Sequence, residues 1–291
     1  MATPAAELEI DETLVRSLLV EQHPDLADLP MRTVGNGWDN VVVQLGTDLI
    51  VRLPRRQASA QLVLNEQRWL PEFAPRLPLP IPSPIFAGKP TAEYPWAWSI
   101  CPWLPGDAAS DVPPADPHEA ALSLAAFIGA LHQPAPADAP ENQFRGVHLR
   151  ERADAVQMRA ESLGDVVPTA RVIAVWDDLR STPEWSRPAL WLHGDLHPSN
   201  MLTNYGKLSA IIDFGDITSG DPATDLALAW MMFEPRQRDV FRNAAGIDDP
   251  TWRRAAGWAL NLSLAYLTGD DTTSMPSIGR TTLTAVLAEF G

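Results

Sequence analysis

The pattern of hydrophobic positions changes texture along this chain. Residues 31–35, 41–46 and 48–53 are short β-rich runs, with Gly35-Asn36-Gly37 and Gly46 between them. Such runs with glycine-rich punctuation predict strands joined by hairpin turns. Upstream, residues 1–10 read as a frayed end. Asp11 then stands where a cap belongs, with Leu14, Val15, Leu18 and Leu19 on one face of a helix over 12–22. A second helix is expected over 58–73, where Leu62, Asn65/Glu66 and Trp69/Leu70 keep helical spacing. The proline-rich run 75–84 must be extended. Two more strands are expected near 85–87 and 96–103.

Beyond Leu104-Pro105-Gly106 the period becomes helical. Asp116-Pro117 opens a helix with proline at its first position, and Leu122, Leu124, Phe127, Ile128 and Leu131 supply its apolar face. A Pro/Ala loop spans 134–147, and helices follow near 148–162 and 169–181. A β interruption over 189–213 comes next, then helices near 222–234, 250–268 and 280–290. Strands followed by helices predict an α+β protein: a small antiparallel β lobe with one helix, then a larger, mainly helical lobe. The expected division is 1–104 and 105–291, with a hinge about 99–106 and a ligand site between the lobes.

Composition narrows the chemistry. There are 22 Lys+Arg against 37 Asp+Glu in 291 residues, a formal net charge of -15. Nucleic acid and anionic membranes are therefore not expected as partners, since both need a basic footprint. One cysteine, Cys101, leaves no intramolecular disulfide or multi-cysteine metal site. No segment approaches about 18 uninterrupted apolar residues, and the first residues are acidic, so a cytoplasmic protein is expected. Oligomeric state is not legible. Lys89 and Lys207 are the only lysines.

The densest chemistry is His193-Gly194-Asp195-Leu196-His197-Pro198-Ser199-Asn200, followed by Ile211-Ile212-Asp213-Phe214-Gly215-Asp216. Gly194 and Pro198 make the first segment a loop in which Asp195 and Asn200 can turn to one side. Asp213 ends an apolar strand. A loop amide and a strand-end carboxylate can hold Mg²⁺ together with phosphate oxygens, because Mg²⁺ prefers a few hard oxygen ligands. A second carboxylate can then accept a hydroxyl proton, which is the equipment of phosphoryl transfer. His193 and His197 are four apart, but the glycine and proline exclude a zinc helix there.

These motifs, with Gly220-Asp221-Pro222-Ala223-Thr224-Asp225-Leu226, resemble the aminoglycoside phosphotransferase/choline kinase family over residues 31–291. The resemblance implies a two-lobed, protein-kinase-like fold and an O-phosphotransferase using Mg²⁺ and ATP, with GTP as the alternative donor. It matches Asp195 to the catalytic base, Asn200 and Asp213 to the metal ligands, and Asp225 to an aspartate that braces the catalytic loop. Asp221 reads first as a helix cap. Gly37 and Trp38 match the loop over the nucleotide phosphates. Arg52 takes the place of the phosphate-binding lysine, with Glu66 as its helix partner. Cys101 and Trp103 match the hinge, the carbonyl of one and the N–H of the other meeting the adenine edge. Arg55 and Arg56 read as a solvated edge patch.

The resemblance implies that the acceptor is a hydroxyl of a small molecule. Residues 107–291 hold most of the acidic excess, so a cationic acceptor of the aminoglycoside type is expected, with Asp216, Glu234, Asp248, Asp249, Asp270 and Asp271 as candidate lining. Alternatives are a macrolide, choline (with an aromatic cage from Trp230, Trp258 or Tyr266), a sugar, or a silent nucleotide-binding relative. Core packing is the better reading of those three aromatic residues.

Overall fold

The computed structural model describes residues 4–269 and 273–291. Two compact units emerge. One holds the described residues up to Pro105 together with Ile211–Gly215; the other holds the described residues of Gly106–Ala210 and Asp216–Gly291.

The first unit is built on five strands, β1 (Met31–Asn36), β2 (Asn40–Leu45), β3 (Leu49–Pro54), β4 (Phe86–Gly88) and β5 (Trp98–Pro102). They form one antiparallel sheet in the order β1-β2-β3-β5-β4. Helix α1 (Glu12–Gln22) starts where its cap predicts, the Asp11 carboxylate accepting the Leu14 N–H at 2.8 Å. Its buried residues Val15, Leu18 and Leu19 pack with Val41, Val43, Leu45, Val51, Leu53, Trp98 and Ile100. Alternation then decides where Arg52 goes. Val51 and Leu53 share the face that packs with α1, so the residue between them must point to the other face. That face meets helix α2 (Gln57–Phe73), which buries Val63, Glu66, Trp69, Leu70 and Phe73.

The second unit is mainly helical: α3 (Pro117–Leu131), α4 (Ala153–Ser162), α5 (Thr169–Arg180), α6 (Ala223–Leu226), α7 (Leu228–Met232), α8 (Pro235–Ala244), α9 (Asp249–Leu267) and α10 (Met275–Phe290). Small sheets interrupt it. β6 (Asp107–Ala108) and β9 (Lys207–Ile211) flank β8 (Met201–Asn204), and β7 (Leu190–Leu192) pairs with β10 (Thr218–Gly220). Helix α9 lies at the centre, buried along most of its length and packed by α4, α5, α6 and α10. Trp230 stacks on Trp252 at 4.4 Å between centroids, and Trp258 is fully buried, so both are core residues.

Several boundaries differ from the pattern-based expectation. The helix expected over 222–234 is two short pieces, and α8 follows it unforeseen, although Glu234-Pro235 gives it a cap position and a proline start. Helix α10 begins five residues early, because Pro276 sits in its first turn, where proline needs no N–H partner. Strand β10 was likewise unforeseen, at only three residues. The expected α+β class, an antiparallel sheet unit and a larger helical unit, is the one found. The sheet unit holds α1 as well as α2. Among the described residues no helix is long and apolar enough to cross a membrane.

Two expectations for stability follow. Arg254 on α9 and Asp221 form a buried pair at 2.7 Å, and Asp221 also accepts the N–H of Ala223, the first residue of α6. Removing one member of such a pair strands a buried charge, which costs about 3–5 kcal/mol. Arg254→Met should lose stability in that range by urea denaturation, and a change under about 1 kcal/mol would contradict it. Cys101 is fully buried in β5, and burial pushes its thiol up to about 12 despite the pull of Arg52. A thiol reagent should therefore label Cys101 only in denaturant.

Candidate active site

Each unit holds a cluster of its own. In the sheet unit, Arg52 Nη1 lies 2.9 Å from Glu66 Oε1, and Arg52 Nη2 lies 3.8 Å from Asp213 Oδ1. Burial alone would lower the guanidinium pKa, but Glu66, Cys101 and Asp213 hold it above its ordinary value. Burial pushes Glu66 up to about 7, with Arg52 pulling against it. Asp213 has a more open side chain and a backbone φ of 63°. A residue with a β-carbon seldom adopts that conformation, and such outliers gather at functional sites.

The glycine loop joins the same unit. Gly37 donates its N–H to the Asn40 carbonyl at 3.0 Å and receives Arg55 Nη1 on its own carbonyl at 2.9 Å. Arg55 is therefore a buried brace of the turn rather than a solvated edge residue, a correction of the expectation. Arg56 pairs with Asp39 at 3.0 Å. Trp38 stands 45% exposed at the tip.

The adenine-edge groups need correction as well. The Trp103 N–H donates to the Asp48 carbonyl at 2.7 Å, so it is already committed. Cys101 stands opposite Ile50 in the β3–β5 register. Two-residue alternation turns its carbonyl toward β3 as well, and leaves the groups of Pro102 and Leu104 on the opposite edge.

In the helical unit the His193–Asn200 loop is held from behind by Asp225. This carboxylate is fully buried and accepts the N–H of His193 at 2.8 Å and of Gly194 at 2.9 Å, while His132 Nε2 lies at 3.1 Å. Burial would raise its pKa; His132, His193 and the Gly194 N–H hold it below the carboxylate range instead. Gly194 is required: its φ is 87°, and a β-carbon there would come within 2.2 Å of the Asp216 carbonyl. His193 turns its ring to accept the Asp195 N–H at 3.2 Å. His197 accepts the Ser199 N–H and packs edge-on against Tyr266. Asn200 Nδ2 donates to the Asp195 carbonyl at 3.0 Å, fixing the two residues in one loop.

Asp195 Oδ1 meets Arg145 Nη2 at 2.9 Å, and its Oδ2 lies 3.4 Å from His197 Nε2. Burial would raise the carboxyl; His197 and Arg145 outweigh it and hold the group well below the carboxylate range. Arg145 was missed by the sequence reading, because it sits in the Pro/Ala loop with no motif around it. Gly146, with φ of 69°, anchors that loop. Its N–H bonds Thr224 Oγ1 and its carbonyl takes the Asp221 N–H, in close backbone contact with Gly220.

Of the acids expected to line an acceptor surface, Asp216 accepts from Asn142 at 2.8 Å. Asp248 caps α9 and pairs with Arg187, and Asp249 pairs with Arg242. Glu234 is the cap residue of α8, while Asp270 and Asp271 lie outside the described residues. In the helical unit the Asn200 amide nitrogen is engaged with the loop, which leaves its oxygen open as a hard donor; in the sheet unit Asp213 offers a half-exposed carboxylate. Each is a donor of the kind Mg²⁺ takes, with water and phosphate completing its shell. Among the described residues no group of three or more His, Cys, Asp or Glu could hold a metal ion.

Aminoglycoside 3'-phosphotransferase of Salmonella typhimurium is 28% identical over 163 residues, which is 53% of this chain and 60% of that relative. The match thus spans less than two thirds of the relative's length. The GDP complex of aminoglycoside 2'-phosphotransferase-IIIa superposes with a TM-score of 0.68 at 20% identity, over 96% of this chain and 99% of that one. Macrolide 2'-phosphotransferase MphH from Brachybacterium faecium gives 0.62 at 19% identity, over 95% and 97%. At these identities the structural likeness is one of fold. Residues 30–258 match the profile of the Phosphotransferase enzyme family, and the chain belongs to that family.

Proposed function

We propose that this protein transfers the γ-phosphoryl group of ATP or GTP to a hydroxyl of a small molecule. The observation that carries the reading is the loop in which Asn200 is bonded to Asp195 while Asp225 holds its backbone from behind. Such a loop presents a carboxylate and an amide oxygen with little freedom, and positioning is most of what phosphoryl transfer asks of a protein.

Asp195 accepts a hydrogen bond from the acceptor hydroxyl and aligns it for in-line attack. The hydroxyl oxygen bonds to the γ-phosphorus as the bond to the β-bridging oxygen breaks, and the hydroxyl proton passes to Asp195. A carboxylate held so far below its ordinary range is a weak base, so it orients first and takes the proton late. Asn200 and Asp213 are the residues we assign to Mg²⁺, which supplies charge neutralisation on the phosphates when bound. Arg52, fixed by Glu66, meets the remaining phosphate oxygens with a planar, permanently charged fork. Gly37 and Trp38 cover the nucleotide, and the carbonyl of Pro102 with the N–H of Leu104 reads its base. The solved relative with GDP keeps guanine nucleotides in the reading. Curated relatives bear the name aminoglycoside phosphotransferase, and macrolide enzymes share the fold, so both classes belong in an acceptor screen with choline and sugars.

Mass spectrometry of phosphorylated products tests the assignment. Asp195→Ala should abolish turnover while nucleotide binding persists; unchanged turnover would reject Asp195 as the base. Arg52→Lys keeps the charge and should retain measurable activity, with a higher KM for the nucleotide. Complete inactivity of a folded Arg52→Lys would show that the fork geometry, not the charge, is what Arg52 provides.

A further inference from the structure

The two arginines that follow β3 spend their bonds on three consecutive residues of the glycine loop. Arg55, 8% exposed, donates its backbone N–H to the Asp39 carbonyl and its Nη1 to the Gly37 carbonyl, both at 2.9 Å. Arg56 Nη2 meets the Trp38 carbonyl at 3.4 Å and Asp39 Oδ1 at 3.0 Å. The carbonyls of residues 37, 38 and 39 are thus all engaged from the junction between β3 and α2. Asp39 Oδ1 also accepts the hydroxyl of Ser59, in the first turn of α2, at 2.6 Å. Glu7, in the segment expected to fray, fixes the junction from outside. Its N–H donates to the Arg55 carbonyl at 2.9 Å, and its carboxylate accepts the Gln57 N–H at 3.0 Å.

This has a directional consequence. In a trans peptide the carbonyl of one residue and the N–H of the next point in opposite directions. With the Gly37 and Trp38 carbonyls drawn toward the arginines, the N–H groups of Trp38 and Asp39 face away from them. Among the described residues neither N–H donates to a backbone carbonyl. Successive N–H groups turned to one side receive an anion, whereas carbonyl oxygens or a carboxylate turned there would repel it. Asp39 is such a carboxylate, and Arg56 with Ser59 holds it at the junction instead.

We propose that Arg55 and Arg56 are positioning residues of the nucleotide loop. By holding three successive carbonyls and the Asp39 carboxylate, they leave the loop to present N–H groups to the nucleotide phosphates. This rests on the reading of Gly37 and Trp38 as the cover of the nucleotide. The two arginines act through the loop and not by touching phosphate, so a nucleoside without phosphates gains nothing from them.

The test titrates the full chain calorimetrically with ADP and with adenosine, and follows amide hydrogen exchange at residues 37–40 without nucleotide. Arg55→Met/Arg56→Met should weaken ADP binding about tenfold or more while adenosine affinity stays as in wild type. Retained adenosine binding shows that the variant is folded, and its residues 37–40 should exchange faster than those of wild type. Asp39→Ala separates positioning from plain attraction. If the carboxylate anchors the loop, its loss weakens ADP binding; tighter ADP binding would mean that the arginines attract phosphate directly, and would overturn the proposal. Unchanged ADP affinity and unchanged exchange in the double methionine variant overturn the proposal alone. Wild-type protein that binds no ADP overturns the phosphotransfer reading and the proposal together.

Discussion

A single buried carboxylate organises the helical unit's chemistry. Asp225 has no water to solvate it, so it must be satisfied by the protein. The donors that satisfy it are the N–H groups of His193 and Gly194 and the ring of His132. Because two of those donors belong to the backbone of the loop, meeting the needs of the charge also sets the path of the chain. The sharp left-handed turn at Gly194 follows, then the placement of Asp195, then the Asn200 bond to its carbonyl. Loss of Asp225 would leave two buried N–H groups unpaired at the base of the loop, a deficit that a conservative side chain elsewhere could not offset.

The sheet unit solves a related problem with a pair instead of a network. A cation on a strand face that meets an apolar helix is costly unless an anion comes with it. Glu66 supplies that anion from α2, and the two-residue alternation of β3 aims Arg52 at it. Asp213 arrives from far along the chain, its segment joined to this unit partly through the bond of the Ile211 N–H to the Pro80 carbonyl. Its strained backbone is maintained by its surroundings, as expected where side-chain direction matters more than local comfort.

How much of this was legible depended on whether the information was local. The Asp11 and Asp116 caps, the β-rich runs of β2 and β3, and the loop with Asp195 and Asn200 are short-range patterns, and the structure has them where they were read. The pairing of Arg52 with Glu66 was legible through the family resemblance, which matched the two residues to a phosphate-binding cation and its helix partner. Backbone hydrogen bonds were not: that the Trp103 N–H belongs to Asp48 depends on the β3–β5 register, which no single residue announces. Arg55 was misread because a run of charge at a strand end looks solvated, whereas its real partner is a carbonyl 18 residues back. Arg145 lay beyond reach for a different reason. Its significance lies in meeting Asp195 from a featureless loop 50 residues away in the chain.

The identity of the cation in β3 has a further consequence for how this protein can be studied. A lysine at that position would present a primary amine, the target of acylating nucleotide reagents that capture enzymes of this fold from mixtures. Arg52 offers a resonance-stabilised guanidinium, which such electrophiles do not modify, and Lys89 and Lys207 stand outside β3 and α2. On the proposed reading of Arg52 as the phosphate-binding residue, enrichment by amine acylation at that position would pass over this protein, and reversible affinity to immobilised nucleotide would be the way to capture it.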